Sequence, residues 1–283
     1  MRLDKFLADM GVGSRSDLKK AIRKSLVTVN GAVEKDPGAQ VSAEDHICFD
    51  GAEIRYAEQQ YYMLHKPAGV LSASEDRRQT TVVDLINLND ELVRKDLFPV
   101  GRLDKDTEGL LIITNDGPLA HQLLVPKHHI DKTYYAIVTG TITEDDQRAF
   151  TRGIRYDEKL TALPATLRVL STGKTVADLR RELGFTATSE RLLRTRLAGP
   201  AFIGAEEPAD ITEDSLVSEV EITIQEGKFH QIKKMVKALP GGKEILYLRR
   251  ITMGALRLDP NLAPGEFRKL RQDEIKILKD SVE

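Results

Sequence analysis

The sequence of 283 residues predicts an α+β protein with a small N-terminal domain and a larger second domain. Its length exceeds that of one typical domain. Apolar residues recur at helical spacing near the start of the chain, whereas Val220, Ile222 and Ile224 alternate with polar residues as in a half-buried strand. The polar residues 56–60 lack any period, so we expect domains at residues 1–56 and 57–283.

Composition indicates a soluble globular protein. Hydrophobic residues make up 41% and charged residues 30% of the chain, and no apolar run is long enough to span a membrane. The first residues lack the apolar core of a signal peptide. A single cysteine, Cys48, excludes internal disulfides and a cysteine-based zinc cluster, so we expect a protein of the reducing cytoplasm.

Charge is distributed unevenly along the chain. The formal net charge of −2 does not by itself indicate a nucleic-acid partner. However, residues 1–30 carry seven basic and three acidic side chains, and residues 225–250 carry seven basic and two acidic ones. Six carboxylates in residues 205–219 offset this excess. Such a pattern favours binding of phosphate by particular faces of the protein.

Two helices and a hairpin are predicted at the N-terminus. The first helix is predicted from apolar residues at helical spacing, namely Leu3, Phe6, Leu7 and Met10. Ser14 can cap a second helix, whose inward residues would be Leu18, Ile22 and Leu26. The pair Asn30-Gly31, after the alternating residues 27–29, favours a hairpin turn.

The central residues 100–117 read V-G-R-L-D-K-D-T-E-G-L-L-I-I-T-N-D-G. Residues 110–114 form an apolar, partly β-branched run before a turn, which is typical of a buried strand. The charged side chains that precede this run are costly to bury unless they are paired with opposite charges or have a function. Asp104 could be only a turn former. The spacing of Asp104, Asp106 and Glu108 also matches the first half of a calcium-binding loop. However, Asn115 stands at the position where such a loop needs a bidentate Glu.

The whole stretch resembles the signature G-R-L-D-x-x-T-x-G-L-L-x-x-T-N-D-G of the pseudouridine synthases that modify ribosomal RNA. The resemblance implies that Asp104 is the catalytic nucleophile and that Arg102 contacts the substrate. It also implies a catalytic domain built on a mainly antiparallel mixed sheet.

Further segments extend this resemblance. The family's K-T-Y segment implies that Tyr134 packs against the target base, although a core tyrosine on a strand is the ordinary alternative. The segment G-K-F-H-Q-I-K-K-M implies that Lys233 pairs with Asp104. Leu248 and Arg250 match an apolar residue below the base and a substrate-binding Arg. The segments H-K-P-A-G and L-A-P-G-E-F-R are also similar, with His65 in place of the usual Asn.

The first 54 residues resemble the S4-type RNA-binding domain, whose pattern is R-L-D-x-x-L, S-R-S, a basic helix and V-x-V-N-G. Ser25 replaces a more usual Gly. The resemblance implies a basic face laid along the RNA backbone, although charged helix faces are also common on ordinary protein surfaces. The candidate RNA-binding residues are Arg2, Lys5, Arg15, Lys19, Lys20 and Arg23.

Residues 171–215 depart from the family pattern, and we interpret them as an inserted surface element with a possible amphipathic helix. His128 and His129 are adjacent, so on an extended chain they would point to opposite sides, and we predict no metal site there.

The resemblance implies isomerisation of uridine to pseudouridine in ribosomal RNA, a reaction without redox change or cofactor. The segments H-H-x-x-K-T-Y and L-A-P-G-E-F-R favour 16S rRNA, in naked form or within an assembling small subunit, as the substrate. We expect a monomer that does not bind membranes. A 23S rRNA synthase, a non-catalytic ribosome-assembly factor and a nucleoside hydrolase are the alternatives.

Overall fold

The computed structural model describes residues 1–54, 59–87, 96–157, 160–183 and 211–282. Most of the predicted domain boundary, residues 56–58, lies outside these ranges. The division at residue 56 therefore stays a prediction. In the described ranges, no helix is both long and apolar enough to cross a membrane.

The N-terminal part consists of two helices packed on a small antiparallel sheet. The helices enclose a core of Leu3, Phe6, Leu7, Leu18 and Ile22. The strands follow the order β2-β1-β3-β4. The elements are α1 Leu3–Asp9, α2 Arg15–Arg23, β1 Val27–Val29, β2 Ala32–Val33, β3 Ile47–Phe49 and β4 Ala52–Ile54.

The local signals at the N-terminus are confirmed, with one exception. Ser14 caps α2 by accepting a hydrogen bond from the Asp17 amide. Asn30 and Gly31 both have positive φ, as a two-residue hairpin turn requires. Leu26, which we predicted to face inward, is 39% exposed. Helix α2 ends at Arg23, and Ser25 takes the left-handed conformation with φ of 65°, so the chain turns before Leu26.

A buried carboxylate organises part of the basic surface. The Asp4 side chain is fully buried, and its oxygens lie 3.0 Å from Arg2 Nε, 3.3 Å from Arg15 Nη2 and 3.9 Å from Lys19 Nζ. The Arg2 hydrogen bond is the main factor that lowers the pKa of Asp4 below its ordinary value. Three of the six candidate RNA-binding residues therefore pair with the same carboxylate, that of Asp4.

Replacing Asp4 with Asn should destabilise the N-terminal part at neutral pH, because the pairing with three cations is lost. Since the folded-state pKa of Asp4 is lowered, its contribution is present above the unfolded-state pKa and is lost as the pH falls through the folded-state value. Hydrogen exchange of amides in residues 1–54 should therefore differ between Asp4→Asn and wild type at pH 7 and converge in acid. Asp17→Asn, which removes an exposed pair with Lys20 and alters an exposed hydrogen bond from Ser14, is the control. Equal exchange in wild type and Asp4→Asn at pH 7 would contradict the expectation.

The larger part is a mixed sheet with helices on both faces. Its strands are β5 Tyr61–Lys66, β6 Phe98–Pro99, β7 Glu108–Thr114, β8 Lys132–Thr139, β9 Thr166–Thr175, β10 Leu216–Ile224, β11 Ile245–Met253, β12 Leu256–Arg257 and β13 Phe267–Lys269. Its helices are α3 Val82–Asn87, α4 Gly117–Leu124, α5 Glu144–Arg152, α6 Val176–Leu183, α7 Gln231–Lys237 and α8 Gln272–Asp280.

Within the part of the chain that the structure describes, nine strands form one sheet. The order is β13-β5-β7-β11-β8-β10-β9, with β12 beside β11 and β6 beside β7. The pairs are antiparallel, except that β7 and β11 run parallel. The expected mainly antiparallel mixed sheet is therefore confirmed.

The middle of the sheet is buried on both faces. Alternate residues of β7 join different apolar clusters, with Leu111 and Ile113 on one side and Leu110 and Ile112 on the other. The first cluster includes apolar residues of α3, α5 and α7, and the second includes residues of α4 and α8. Such coverage explains why β7 is a continuous apolar run rather than an alternating one.

Part of the presumed surface insertion belongs to the sheet. Strand β9 extends to Thr175, which lies opposite Leu216 of β10. The predicted amphipathic helix is α6, whose Val176 and Leu179 are buried against Ile137. Residues 171–183 are thus integral to the fold, which corrects our interpretation of them. Residues 184–210 lie outside the described ranges.

Candidate active site

The loop that carries Asp104 connects β6 to β7 and enters the sheet beside β11. Gly109 of β7 lies opposite Arg250 of β11, with φ of 108°. A Cβ atom at Gly109 would lie 2.2 Å from the Arg250 backbone oxygen and 2.6 Å from its backbone nitrogen. Because no side chain fits there, Gly109 allows the close approach of β7 and β11.

A buried lysine holds the loop on the C-terminal side of Asp104. Lys66, at the end of β5, has no exposed surface. Its ammonium group donates hydrogen bonds to the carbonyl oxygens of Pro67 at 2.9 Å, Lys105 at 3.2 Å and Thr107 at 3.0 Å. The Lys66 side chain therefore fixes the backbone immediately after Asp104.

A serine holds the N-terminal side of the same loop. The Ser72 hydroxyl donates to the Leu103 carbonyl at 2.8 Å, and the Leu103 amide lies 3.1 Å from the same Ser72 oxygen. The Gly69 amide also donates to the Lys105 carbonyl at 2.7 Å. The segment that follows β5 thus forms hydrogen bonds with the backbone on both sides of Asp104.

Replacing Lys66 with Met should destabilise the protein by roughly 2–4 kcal/mol, because buried carbonyls that lose their donor cost about 1–3 kcal/mol each and some will rehydrate. Chemical denaturation measures this change. The turnover rate should fall as well, since the loop around Asp104 loses its anchor. Lys243→Met is the matched control, because Lys243 is also largely buried and donates to a carbonyl, that of Pro240, outside this loop. Equal loss of turnover in both variants would contradict the anchoring role.

The stability difference between wild type and Lys66→Met should also depend on pH. Burial lowers the pKa of Lys66 from 10.5 to about 8, against the opposing influence of Asp106, Glu108 and Asp104. Between pH 8 and pH 10.5, the unfolded chain therefore keeps a proton on Lys66 that the folded chain has largely lost. Wild-type stability should therefore rise relative to Lys66→Met as the pH increases from 8 to 10.5.

The Asp104 carboxylate lies at the edge of the protein interior, with 27% of its side chain exposed. Lys233 Nζ, from α7, lies 3.3 Å from Asp104 Oδ2, and His230 Nε2 lies 3.7 Å from Asp104 Oδ1. Lys233 also bonds Asp106 Oδ1 at 2.5 Å. One cation is therefore shared by two carboxylates, and the group predicted to act as a nucleophile is both paired and accessible.

Tyr134 and Leu248 lie on neighbouring strands in the same apolar cluster as Leu103. Tyr134 of β8 is opposite Arg250 of β11, and Leu248 is opposite Ala136, so Tyr134 and Leu248 are diagonal neighbours. Both are nearly buried, with 7% and 5% exposed. Their positions are compatible with apolar surfaces beside and below the target base, and equally with ordinary core residues. The roles of Tyr134 and Leu248 in substrate binding therefore stay predictions.

The two arginines predicted to contact the substrate lie in different environments. Arg102 is exposed. Arg250 is only 2% exposed, and its Nε donates to the Leu110 carbonyl at 2.8 Å. Burial, followed by the charge of Arg250, lowers the pKa of Lys132 to about 8. The Nε group of Arg250 thus supports β7, whereas its Nη2 group is buried without a hydrogen-bond partner among the described residues, and its role in binding the substrate stays a prediction.

The first and last family segments are joined by hydrogen bonds. The amide of His65 donates to the Glu266 carbonyl at 2.9 Å, and the Gly265 amide donates to the His65 carbonyl at 2.8 Å. His65 Nδ1 lies 2.7 Å from the Leu262 carbonyl oxygen. Burial lowers the pKa of His65, so the imidazole is neutral at pH 7. The segment L-A-P-G-E-F-R therefore stabilises β5, the strand that ends at Lys66, through these hydrogen bonds.

Sequence reasoning missed four residues of this site, namely Lys66, Ser72, Asp106 and His230. Lys66 and His230 stand within segments that resemble the family, so their positions carried a signal. Asp106 also stands within the central segment, among the charges that are costly to bury unless paired. Ser72 carried no signal, because a serine in a polar loop is common. The two hydrogen bonds between Ser72 and Leu103 make Ser72 part of the support for the site.

Among the described residues, no group of three or more His, Cys, Asp or Glu side chains is arranged to hold a metal ion. His129 instead contacts Gln225 Oε1 through Nδ1 at 3.1 Å. The groups that the structure brings together at Asp104 are two carboxylates and a shared ammonium group, and Leu103 next to Asp104 belongs to the apolar cluster that includes Tyr134 and Leu248. Such a set can supply a nucleophile or base to an uncharged substrate.

Comparison with known proteins identifies the class of this enzyme. Residues 60–238 match the family model of RNA pseudouridylate synthases, and residues 1–47 match that of the S4 domain. The chain belongs to the RNA pseudouridine synthase family and is an isomerase with an N-terminal S4 domain.

Individual relatives cover almost the full chain. An uncharacterised RNA pseudouridine synthase of Bacillus subtilis is 38% identical over 99% of each chain. Ribosomal small subunit pseudouridine synthase A of Pasteurella multocida is 33% identical over 97% of this chain and 98% of its own. Ribosomal large subunit pseudouridine synthase B of Bacillus subtilis is also 33% identical, over 98% and 95%. A crystal structure of a pseudouridylate synthase with 32% identity covers 98% of this chain and 99% of its own, with a TM-score of 0.57.

Proposed function

We propose that this enzyme converts a uridine of 16S rRNA to pseudouridine and that Asp104 is its nucleophile. The observation that carries the proposal is the Asp104 carboxylate, which is partly exposed, paired with Lys233 at 3.3 Å and fixed by the backbone contacts of its loop. A protein that only binds RNA has no need of a carboxylate held in this way.

The reaction moves the glycosidic bond from nitrogen to carbon. Asp104 acts at the ribose, where the C1′–N1 bond breaks and uracil leaves as a delocalised anion. The base then turns, and its C5 atom bonds to C1′. The C5 proton is lost and N1 gains one, so the product is an isomer of the substrate. Asp104 either bonds to C1′ in the first step and leaves when C5 attacks that atom, or removes the C2′ proton in the first step and returns it when C5 bonds to C1′.

The remaining residues support this step. Lys233 pairs with the Asp104 carboxylate at 3.3 Å and holds it in position. Tyr134 packs against the extruded base, and its hydroxyl is the candidate acceptor of the C5 proton. Leu248 forms the floor below the base. Contacts of this kind offset the cost of unstacking the target, which is a few kcal/mol.

The preference for the small subunit rests on resemblance. The segments H-H-x-x-K-T-Y and L-A-P-G-E-F-R favour 16S rRNA, and relatives named for the small subunit match the chain over nearly its full length. A large-subunit relative of similar identity makes 23S rRNA the second candidate. The proposed location is the cytoplasm, where ribosomes assemble.

The N-terminal domain, which we place at residues 1–56, positions the enzyme on RNA. Lys5 and Arg23 are exposed, and the cations around Asp4 form a fixed positive cluster. These side chains bind phosphates without reading sequence. The catalytic domain, residues 57–283, then engages the target uridine.

The test uses the purified full-length protein and 16S or 23S rRNA transcripts with tritium at C5 of uridine, alone and in subunit precursor particles. Tritium release from a single 16S site is expected, because C5 loses its hydrogen when it bonds to ribose. Release only from 23S rRNA would overturn the choice of subunit. Free uracil would indicate a nucleoside hydrolase. Tight binding without either product would indicate an assembly factor.

A further inference from the structure

Phe229 is a large apolar side chain that the fold holds in solvent beside Asp104. It is 68% exposed. Its ring stacks on His230, with 3.8 Å between ring centroids and an interplanar angle of 19°. His230 in turn lies 3.7 Å from Asp104 Oδ1. The two rings, which we call the stacking platform, therefore extend from the candidate nucleophile into solvent.

The loop under the platform is fixed by buried polar contacts. Gln231 Nε2 donates to Glu226 Oε1 at 2.6 Å, and the Lys228 amide donates to Gln231 Oε1 at 2.9 Å. Glu226 and Gln231 are 7% and 3% exposed. His230 itself has a left-handed backbone, with φ of 52°. Phe229 is thus presented outward by an anchored loop.

Lysine side chains lie close to the stacking platform. Lys234 Nζ lies 5.6 Å from the centre of the Phe229 ring, and Lys233 lies beside Asp104. Lys228 is 42% exposed, although it pairs with Glu226. A surface that docks another protein through a central aromatic residue is usually surrounded by further apolar contacts. An aromatic ring among lysines instead fits a polyanion that carries planar groups.

We propose that the stacking platform binds the base of a nucleotide adjacent to the target uridine in the RNA. This inference rests on the proposed function, because it assigns a neighbour to the uridine that reacts at Asp104. Tyr134 and Leu248 receive the target base, whereas Phe229 receives a flanking base and Lys234 its phosphate. Stacking is tolerant of base identity, so the platform holds the substrate strand rather than reading its sequence.

The chain contains no tryptophan, so Phe229→Trp places a single fluorescent reporter in the platform. Combined with Asp104→Asn, it reports binding without turnover. A 16S rRNA transcript should quench the fluorescence, because a stacked base contacts the indole, whereas heparin, a polyanion without bases, should not. Leu170→Trp, at an exposed apolar position on β9, is the control and should not be quenched.

Activity provides the second readout. Phe229→Leu should lower kcat/KM on the 16S transcript by about tenfold, and Phe229→Tyr should restore it, since base stacking needs an aromatic ring. Leu170→Ala should behave like wild type. Wild-type-like activity of Phe229→Leu, or equal quenching by heparin and RNA, would overturn the platform. Absence of quenching by both the transcript and small-subunit precursor particles would overturn it too.

The two proposals fail separately. If the wild-type protein forms pseudouridine but the tryptophan of Phe229→Trp is not quenched by RNA, the platform alone is refuted. If the wild-type protein forms no pseudouridine in either ribosomal RNA, the proposed function is refuted, and the platform with it.

Discussion

Asp104→Asn should reduce pseudouridine formation by at least about 10⁴-fold, the scale of loss when a nucleophile is removed. Asparagine has the same size as aspartate and can still contact Lys233, so the loop should keep its geometry. Binding of 16S rRNA should be unchanged or slightly tighter, because affinity depends mainly on phosphate contacts and one negative charge has been removed. Single-turnover tritium release and a filter-binding titration measure the two effects.

Asp106→Asn is the matched control for the change of charge. It removes the other carboxylate that contacts Lys233, but it leaves the candidate nucleophile in place. We expect measurable turnover from Asp106→Asn and none above background from Asp104→Asn. Turnover by Asp104→Asn within tenfold of wild type would exclude Asp104 as the nucleophile. Loss of RNA binding in that variant would show that its effect is not confined to chemistry.

Gly109→Ala should destabilise the protein by roughly 2–5 kcal/mol. Forcing a methyl group into a packed site costs about 1–3 kcal/mol, and a positive φ adds about 1–2 kcal/mol for a residue with a Cβ atom. The added Cβ would meet the Arg250 backbone at 2.2 Å, so β7 and β11 must separate. Asp104 lies just before this junction, and turnover should therefore fall together with stability.

Gly117→Ala tests whether this effect belongs to the junction. Gly117 opens α4, and a Cβ atom there would meet nothing within 4 Å. Its free energy of unfolding, measured by chemical denaturation, should lie within about 1 kcal/mol of the wild-type value, because the preference of Ala for helix is opposed by the following Pro118. Equal stability of Gly109→Ala and Gly117→Ala would contradict the steric account of the β7 and β11 contact.

Much of the fold could be predicted because local signals and packing agree. Helical spacing located α1 and α2, the Asn30-Gly31 pair located a hairpin, and the apolar run before Asn115 located β7. Leu26 was misjudged, because helical spacing alone does not show that the chain turns at Ser25. Residues 171–183 were misjudged, because a long edge strand with polar outward residues resembles a surface segment.

The site could be predicted only in part. The motifs identified Asp104 and Lys233, which are far apart in sequence and lie 3.3 Å apart in the structure. Lys66 and Ser72 act through backbone carbonyl and amide groups, and such contacts leave no residue pattern at the position they support. The burial of Arg250 and its hydrogen bond to Leu110 could not be predicted, because a sequence motif does not distinguish an exposed arginine from a buried one.

Mapping of pseudouridine in 16S and 23S rRNA tests the central claim most directly. The rRNA would be taken from cells that lack this gene and from the same cells supplied with wild type or Asp104→Asn. We predict that one 16S site loses pseudouridine without the gene, regains it with wild type and stays unmodified with Asp104→Asn. Unchanged modification of both rRNAs, or restoration by Asp104→Asn, would contradict the account.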